Sequence, residues 1–182
     1  MSKQRKEIAY LNVDRNALKK CCQTNKQAIE LELEMKHILN NKIHGICFSP
    51  YLEGQDPSVK SKISHQQIAD RLEIVRPYTN WVRTFSCGNG NEEVPRIAHE
   101  KSLKTLVGVW IGDDLEEKEV EFNNAVIIAK LGYVDILAIG NEVLLRKDLD
   151  VETLLGYIRR FKELVTNVPV GYVDAYYMFV NY

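Results

Sequence analysis

From Ile43 onward, short apolar runs alternate with segments of helical periodicity. The runs are rich in Val, Ile, Leu and aromatic residues, as buried parallel strands are. They predict five strands, at residues 43–48, 81–85, 104–111, 134–139 and 168–173. A repeated strand–helix–strand order requires right-handed crossovers and a parallel sheet covered by helices. The alternation therefore predicts the α/β class.

Four helices are predicted between these strands, and most of their ends carry a signal. Ser64 and Gln67 have the spacing of a capping box ahead of an apolar stripe. Gly132 follows a second stripe and is predicted as its C′ residue. Asp150 is predicted to cap a third helix. A shorter helix is predicted near residues 94–101.

Two architectures fit five strands and four helices: an open flavodoxin-like sheet, or the first part of an eight-stranded (β/α)8 barrel. From residue 43 each βα unit takes about 31 residues, so eight units would need about 248, close to the ~250 typical of the barrel. Residues 174–182 are rich in aromatics and contain no closing amphipathic helix. We therefore expect a truncated barrel.

Residues 1–42 differ from the rest because they contain neither Gly nor Pro. Leu11, Leu18, Cys22 and Ile29 follow one another at intervals of seven, four and seven. This spacing is helical, but the stripe is too short for a coiled coil. The sequence predicts a helical extension at 1–42 and a barrel portion at 43–182.

Charge and composition argue against several classes of partner. The chain has 24 Lys and Arg against 25 Asp and Glu, a net charge of −1, which is too balanced for nucleic acid or an anionic membrane. No stretch approaches the ~18 apolar residues of a membrane span, and no apolar signal region follows Met1, so we expect a cytoplasmic chain. Neither a zinc site nor a disulfide framework is expected, since no C-x-x-C motif occurs among Cys21, Cys22, Cys47 and Cys87.

Ligands of parallel α/β folds bind at the carboxyl ends of the strands, so the following loops are the places to search. The second loop contains Gly88-Asn-Gly90 before a helix, which suggests a phosphate site. In the phosphate-binding motif G-x-G-x-x-G, however, the third glycine would fall at Glu93, so a simple turn is favoured. Arg83, within the second strand, must either pair with a carboxylate or reach solvent.

The fourth loop carries the strongest chemical signal. Asn141 and Glu142 follow a buried strand directly. A glutamate placed there can act as a general acid, and the adjacent amide can hydrogen-bond a substrate hydroxyl. From these residues alone, an ordinary polar loop remains an alternative.

Six blocks of sequence, in order, carry a resemblance to a known family. They are Gly45-Ile-Cys-Phe-Ser-Pro-Tyr51, Val82-Arg-Thr-Phe-Ser-Cys-Gly-Asn-Gly90, Pro95-Arg-Ile-Ala-His-Glu100, Val107-Gly-Val-Trp-Ile-Gly112, Ile139-Gly-Asn-Glu-Val143 and Pro169-Val-Gly-Tyr-Val-Asp174. Over residues 43–182 the chain resembles family 17 glycoside hydrolases, in particular the microbial exo-β-1,3-glucanases and glucan glucosyltransferases.

The resemblance implies a (β/α)8 barrel and retaining hydrolysis or transfer of β-1,3-glucosidic bonds without metal or cofactor. It places the general acid/base on Glu142, a 2-hydroxyl contact on Asn141, and the arginine that holds the nucleophile on Arg83. It implies substrate contacts at Tyr51, Trp110, Tyr172, Asp174 and Tyr176. The implied partner is a β-glucan oligosaccharide or polysaccharide.

The chain departs from the family at the nucleophile. That residue is a second glutamate after strand seven, in a Glu-Thr-Gly-Trp block that is absent from this sequence. A retaining mechanism needs two carboxyl groups about 5 Å apart. The leading hypothesis is therefore a glucanase or glucosyltransferase fragment, inactive by itself and prone to non-specific self-association through open sheet edges. The alternative is a catalytically incomplete carbohydrate-binding or scaffold protein.

Overall fold

The computed structural model describes residues 25–112 and 114–181. Contacts divide the chain into two compact units, Met1–Lys42 and Ile43–Tyr182. In the first unit, helix α1 (Asn25–Asn40) carries an exposed ion pair between Glu32 and Lys36, at 3.0 Å. Ile29, predicted on the apolar stripe, is 58% exposed. Leu11, Leu18 and Cys22 lie outside the described residues.

The second unit alternates strands and helices in the predicted order. The strands are β1 (Ile43–Cys47), β2 (Thr79–Arg83), β3 (Lys104–Val109), β4 (Ile136–Asn141) and β5 (Val170–Val173). The helices are α2 (His65–Val75), α3 (Val94–Glu100), α4 (Leu115–Lys130), α5 (Val143–Arg146), α6 (Val151–Leu164) and α7 (Met178–Asn181). Two 3₁₀ turns, Pro57–Val59 and Asn91–Glu93, complete the described elements.

The five strands form one parallel sheet in the order β1-β2-β3-β4-β5. A flavodoxin-like sheet would have β1 between later strands, so this order excludes that alternative. Helices α2, α3, α4 and α6 provide the four crossovers. The partial barrel that the sequence predicted is confirmed.

The two faces of the sheet differ in burial. Val82, Val107 and Leu137 are fully buried on the face that the helices cover. Their neighbours on the opposite face, Arg83 and Leu106, are half-buried and line a cavity of about 260 Å³. In a closed barrel this second face is the packed interior. The helices therefore bury one face of the sheet, whereas the other face is only partly buried.

Helix α4 packs on the sheet through the aromatic centre of the larger core cluster. Phe122 is fully buried and meets Phe161 of α6 edge to face, with ring centroids 6.2 Å apart. The Arg160 guanidinium lies 4.3 Å from the Phe122 ring centroid. This contact joins α4 and α6 over β3 and β4, the strands that carry much of the candidate site.

The predicted capping box at α2 is only half formed. The Ser64 hydroxyl accepts from the Gln67 backbone N–H at 3.2 Å, as expected. The Gln67 side chain does not return to the cap, because it donates instead to the Pro50 carbonyl at 2.8 Å and to Gln55 Oε1 at 2.6 Å. The glutamine therefore fastens the loop after β1 to the helix. Asp150 caps α6 as predicted, through the Thr153 N–H at 2.7 Å.

Replacing Ser64 by alanine should lower the free energy of unfolding by about 1 kcal/mol, because an N-cap hydroxyl typically contributes this much. Urea unfolding followed by circular dichroism would measure the change. Thr166→Ala, an exposed position after α6, is the matched control and should be nearly neutral. Equal shifts for the two variants would contradict a capping role.

The strand ends differ from the predicted bounds in a way that matters for the site. β2 ends at Arg83 rather than at residue 85, because the following chain turns towards a carboxylate of α4. β4 extends to Asn141, with a register irregularity between Ala138 and Asn141 where it pairs with β5. None of the helices in the described ranges combines the length and the apolar character of a membrane span.

Candidate functional site

Arg83 and Asn141 meet at the carboxyl edge of the sheet although 58 positions separate them. Arg83 Nη2 donates to Asn141 Oδ1 at 2.5 Å. The two residues end β2 and β4, so the contact reaches across β3, as inward side chains of alternate strands do in a barrel. The Arg83 guanidinium also lies 4.7 Å from the Phe85 ring centroid, and its Nε is buried without a partner among the described residues.

The backbone at Glu142 is held in an uncommon conformation. Glu142 has φ +56°, and Gly140 two residues earlier has φ +82°. A Cβ on Gly140 would lie 2.7 Å from Val143 Cγ2, so glycine is needed there. The Glu142 N–H donates to the Val173 carbonyl at 2.8 Å, and its carbonyl accepts from the Arg146 N–H at 2.8 Å. Left-handed non-glycine residues often mark functional sites.

The Glu142 side chain is exposed. No hydrogen bond or ion pair reaches its carboxylate from any residue that the structure describes. The adjacent motif residues touch both predicted neighbours, since Asn141 bonds Arg83 and the Gly140 position packs against the Tyr172 ring. A concave surface shared by the Glu142 carboxylate with Arg83 and Tyr172 stays a prediction.

Tyr172, within β5, and Asp174, directly after β5, form a hydrogen-bonded pair. The Tyr172 hydroxyl donates to Asp174 Oδ2 and accepts from the Leu144 N–H at 2.9 Å. Asp174 Oδ2 also accepts from the Leu145 N–H at 3.3 Å. Burial, and then the bond to Asp174, raises the pKa of Tyr172 well above its ordinary value. Both side chains therefore stabilise the turn that carries Glu142.

Tyr51 and Trp110, two more of the predicted substrate contacts, line a separate groove of about 520 Å³. Its walls combine aromatic rings with a few polar groups, as carbohydrate and other small-molecule sites do. The lining includes Phe48, Tyr51, Phe85, Ser86, Asn91 and Trp110. The Tyr51 hydroxyl accepts from Asn91 Nδ2 at 3.1 Å, which fixes the tyrosine in the segment that follows the carboxyl end of β1.

Arg146 connects the groove to the Asn141–Glu142 turn. Its guanidinium lies 4.4 Å from the Trp110 ring centroid, within cation–π range. The same group donates to the Asn141 carbonyl and pairs with Asp148, with Nε 2.9 Å from Asp148 Oδ2. Tyr176, the remaining predicted contact, is 83% exposed and meets Tyr177 edge to face.

Glu121 is a site residue that the sequence analysis missed. It lies on α4, is 3% exposed, and lines the same groove as Trp110. Burial raises the pKa of its carboxyl group, while hydrogen bonds from Ser86, Cys87 and Trp110 act in the opposite direction. The available signal was its position on the apolar face of α4, directly before Phe122, where an acidic residue needs buried partners.

The described residues contain no group of three or more His, Cys, Asp or Glu side chains that could hold a metal ion. The polar groups at the carboxyl edge are instead an arginine–amide pair, single carboxylates and aromatic rings. The carboxylates can transfer protons, and the amide can form hydrogen bonds with hydroxyl groups. The aromatic faces can pack against sugar rings.

The sequential parallel sheet and its carboxyl-edge groups define the class: part of a (β/α)8 barrel of the glycoside hydrolase type. The family model described as the BtgE/BtgC glycoside hydrolase domain matches residues 45–182, and the chain belongs to this family. The resemblance to family 17 glycoside hydrolases is thereby confirmed.

Two solved structures extend the comparison. A family 17 β-1,3-glucanosyltransferase from Rhizomucor miehei is 28% identical, with a TM-score of 0.64 over 77% of this chain. An active-site mutant of the Rhizomucor miehei β-1,3-glucanosyltransferase, in complex with laminaritriose, is also 28% identical, with a TM-score of 0.63 over 76% of this chain. This chain covers 52% of each structure, about half its length. None of the curated proteins matches the chain.

Proposed function

We propose that residues 43–182 form the acid/base-bearing part of a retaining β-1,3-glucan hydrolase or transglycosylase. In this proposal Glu142 is the general acid/base and Asn141 contacts the substrate 2-hydroxyl. Tyr51 and Trp110 contact neighbouring sugar rings, while Tyr172, Asp174 and Tyr176 border the same edge. Helix α1 belongs to the other unit and is not assigned to the catalytic part.

The observation that supports this proposal most directly is the hydrogen bond between Arg83 and Asn141. It places the Gly-Asn-Glu segment beside the arginine that the family resemblance links to the nucleophile. The exposed Glu142 carboxylate is also left available to a ligand, since its turn is held by backbone bonds to Val173 and Arg146.

In the first step, a protonated Glu142 would donate its proton to the glycosidic oxygen as the bond to the anomeric carbon breaks. A second carboxylate would attack that carbon and form a glycosyl–enzyme intermediate. In the second step, ionised Glu142 would take a proton from the incoming acceptor while the acceptor oxygen bonds to the anomeric carbon and displaces the second carboxylate. Water as the acceptor gives hydrolysis, and a sugar hydroxyl gives transglycosylation.

The second carboxylate would come from the rest of the barrel. Among residues 25–112 and 114–181, no carboxylate pairs with the Arg83 guanidinium, and its buried Nε lacks a partner. A buried donor of this kind normally has an acceptor. An incoming carboxylate at this point would satisfy Arg83 and be held beside Asn141.

The lack of a carboxylate partner for Arg83 among the described residues favours a second candidate function for the chain alone, which is carbohydrate binding without turnover. The groove at Trp110 is lined by the segments after β1, β2 and β3 and by α4, and its aromatic lining needs no second carboxylate to bind a sugar.

Laminaritriose binding, measured by isothermal titration calorimetry, tests both candidates. Trp110→Ala should weaken binding by about tenfold, the effect of losing one well-packed aromatic contact. Tyr78→Ala is the matched control, because Tyr78 is also an exposed aromatic but precedes β2 at the opposite edge. Glu142→Gln should bind as the unsubstituted chain does.

Binding by the chain alone, with Glu142-dependent release of sugar once the remaining strands are supplied, would support the enzyme fragment. Binding that persists without any release of sugar in the completed barrel would support the carbohydrate-binding candidate. Absence of binding to laminaritriose, or equal weakening by Trp110→Ala and Tyr78→Ala, would contradict the assignment of the groove to glucan.

A further inference from the structure

Glu121 is a buried carboxylate for which the proposed chemistry has no direct use. It lies one residue before Phe122, on the face of α4 that packs against the sheet, and it is 3% exposed. An isolated charge in this position would be strongly unfavourable. Three donors offset that cost, because Oε1 accepts from the Ser86 hydroxyl, and Oε2 accepts from the N–H groups of Cys87 at 2.5 Å and Trp110 at 3.1 Å.

These donors come from two different segments at the carboxyl edge. Ser86 and Cys87 follow β2, whereas Trp110 follows β3. The loop after β2 passes so close to the carboxylate that a Cβ on Gly88 would lie 2.8 Å from Glu121 Oε1. Asn124, nearly one turn further along α4, donates to the Cys87 carbonyl at 2.7 Å. One helix face therefore fixes both segments.

Trp110 is consequently held from two sides. Glu121 fixes its backbone, and the Arg146 guanidinium covers one region of its indole at 4.4 Å from the ring centroid. The side chain nevertheless stays 36% exposed and lines the groove of about 520 Å³. The exposed part of the ring is thus presented to the groove in a defined orientation.

We propose that Glu121 is a positioning residue that sets Trp110 and the Ser86–Cys87 segment for ligand binding in the groove. It acts through hydrogen-bond geometry rather than through its charge. The ligand part of this inference rests on the proposed function, whereas the orientation of Trp110 does not.

Three substitutions separate geometry from charge. Glutamine keeps the length of the side chain: its Oε1 can accept from both N–H groups, and its amide can donate to the Ser86 oxygen. Aspartate keeps the charge but is one methylene shorter, and alanine removes every acceptor. Asn123→Ala, an exposed neighbour on the same helix, is the matched control.

The measurement uses tryptophan fluorescence without any sugar. The chain has two tryptophans, so Trp81→Phe leaves Trp110 as the only one. In that background, Glu121→Ala and Glu121→Asp should shift Trp110 emission to the red and increase its quenching by acrylamide. Glu121→Gln and Asn123→Ala should leave both quantities unchanged. Circular dichroism verifies that each compared variant is folded; if Glu121→Ala does not fold, the aspartate and glutamine pair decides the question.

Laminaritriose affinity is the second measurement. Glu121→Ala or Glu121→Asp should weaken it about tenfold, as Trp110→Ala does, and Glu121→Gln should restore it. Unchanged Trp110 quenching in folded Glu121→Asp would overturn the positioning role, as would a larger change in Glu121→Gln than in Glu121→Asp. Altered quenching with unaltered affinity, in a chain that does bind laminaritriose, would overturn the role in ligand binding. If the unsubstituted chain does not bind, the proposed function fails, and quenching alone decides the role of Glu121.

Discussion

Glu142→Gln is expected to lower kcat for a β-1,3-glucan by about 10²- to 10⁴-fold in a completed barrel, because a positioned general acid contributes about that factor. The barrel would be completed by supplying the remaining strands, as a continuous extension or as a separate complementing fragment. Glutamine preserves the shape of the side chain and removes the proton donor. Rates of reducing-sugar release would measure the change.

The 182-residue chain alone should release no measurable sugar. In the best-studied hydrolase, loss of one member of a cooperating catalytic set costs on the order of 10⁶ in kcat.

Glu163→Gln, an exposed carboxylate near the end of α6, is the control for the completed barrel and should retain full activity. An aryl glucoside whose leaving group needs no protonation should lose much less of its glycosylation rate in Glu142→Gln.

Two outcomes would contradict this assignment. Robust glucanase activity of the chain alone, dependent on Glu142, would refute the inference that a second carboxylate must be supplied. Equal activity of the completed barrel with glutamate or glutamine at position 142 would reject Glu142 as the acid/base.

Phe122→Ala is expected to lower the free energy of unfolding by about 3–5 kcal/mol, the usual cost of removing a fully buried aromatic ring. The loss includes the contact with Phe161 and the packing of Arg160 over the ring. Urea denaturation, followed by fluorescence and circular dichroism, would measure it.

Ile127→Ala is the control for this change, because Ile127 lies on the same helix but is 56% exposed. It should alter stability by no more than about 0.5 kcal/mol. A cost below about 1 kcal/mol for Phe122→Ala would show that α4 and α6 do not share the core that joins them to β3 and β4.

Local sequence patterns predicted the elements because strands buried in a parallel sheet consist of continuous apolar runs. Apolar runs located all five strands, and Ser64 and Asp150 located two helix starts at the residues that cap them. The strand ends were less well predicted, since Asn141 proved to lie within β4 rather than after it. Where a strand stops depends on partners such as Glu121, which a local pattern does not contain.

For the candidate site, strand-end positions drew attention to Asn141, Glu142 and Arg83, and the family resemblance implied their roles. The structure brings Asn141 and Arg83 within hydrogen-bonding distance. The sequence could not indicate that Tyr172 and Asp174 bond each other and the start of α5. It also could not indicate that Tyr51 and Trp110 line a groove to which Tyr172 and Asp174 do not contribute.

Local residue patterns were sufficient to predict the α/β alternation, the family and the position of the Gly-Asn-Glu segment, because these depend on residue types within short windows. Three-dimensional packing was needed to choose between the two possible strand orders, to expose one face of the sheet, and to make Glu121 an acceptor for two loops. Those features depend on parallel register and on hydrogen bonds between residues far apart in the sequence. Glu121 accepts from Trp110, 11 positions away, and from Cys87, 34 positions away, and Arg83 donates to Asn141, 58 positions away. Such meetings arise when strands pair and helices pack over them, and no local periodicity specifies them.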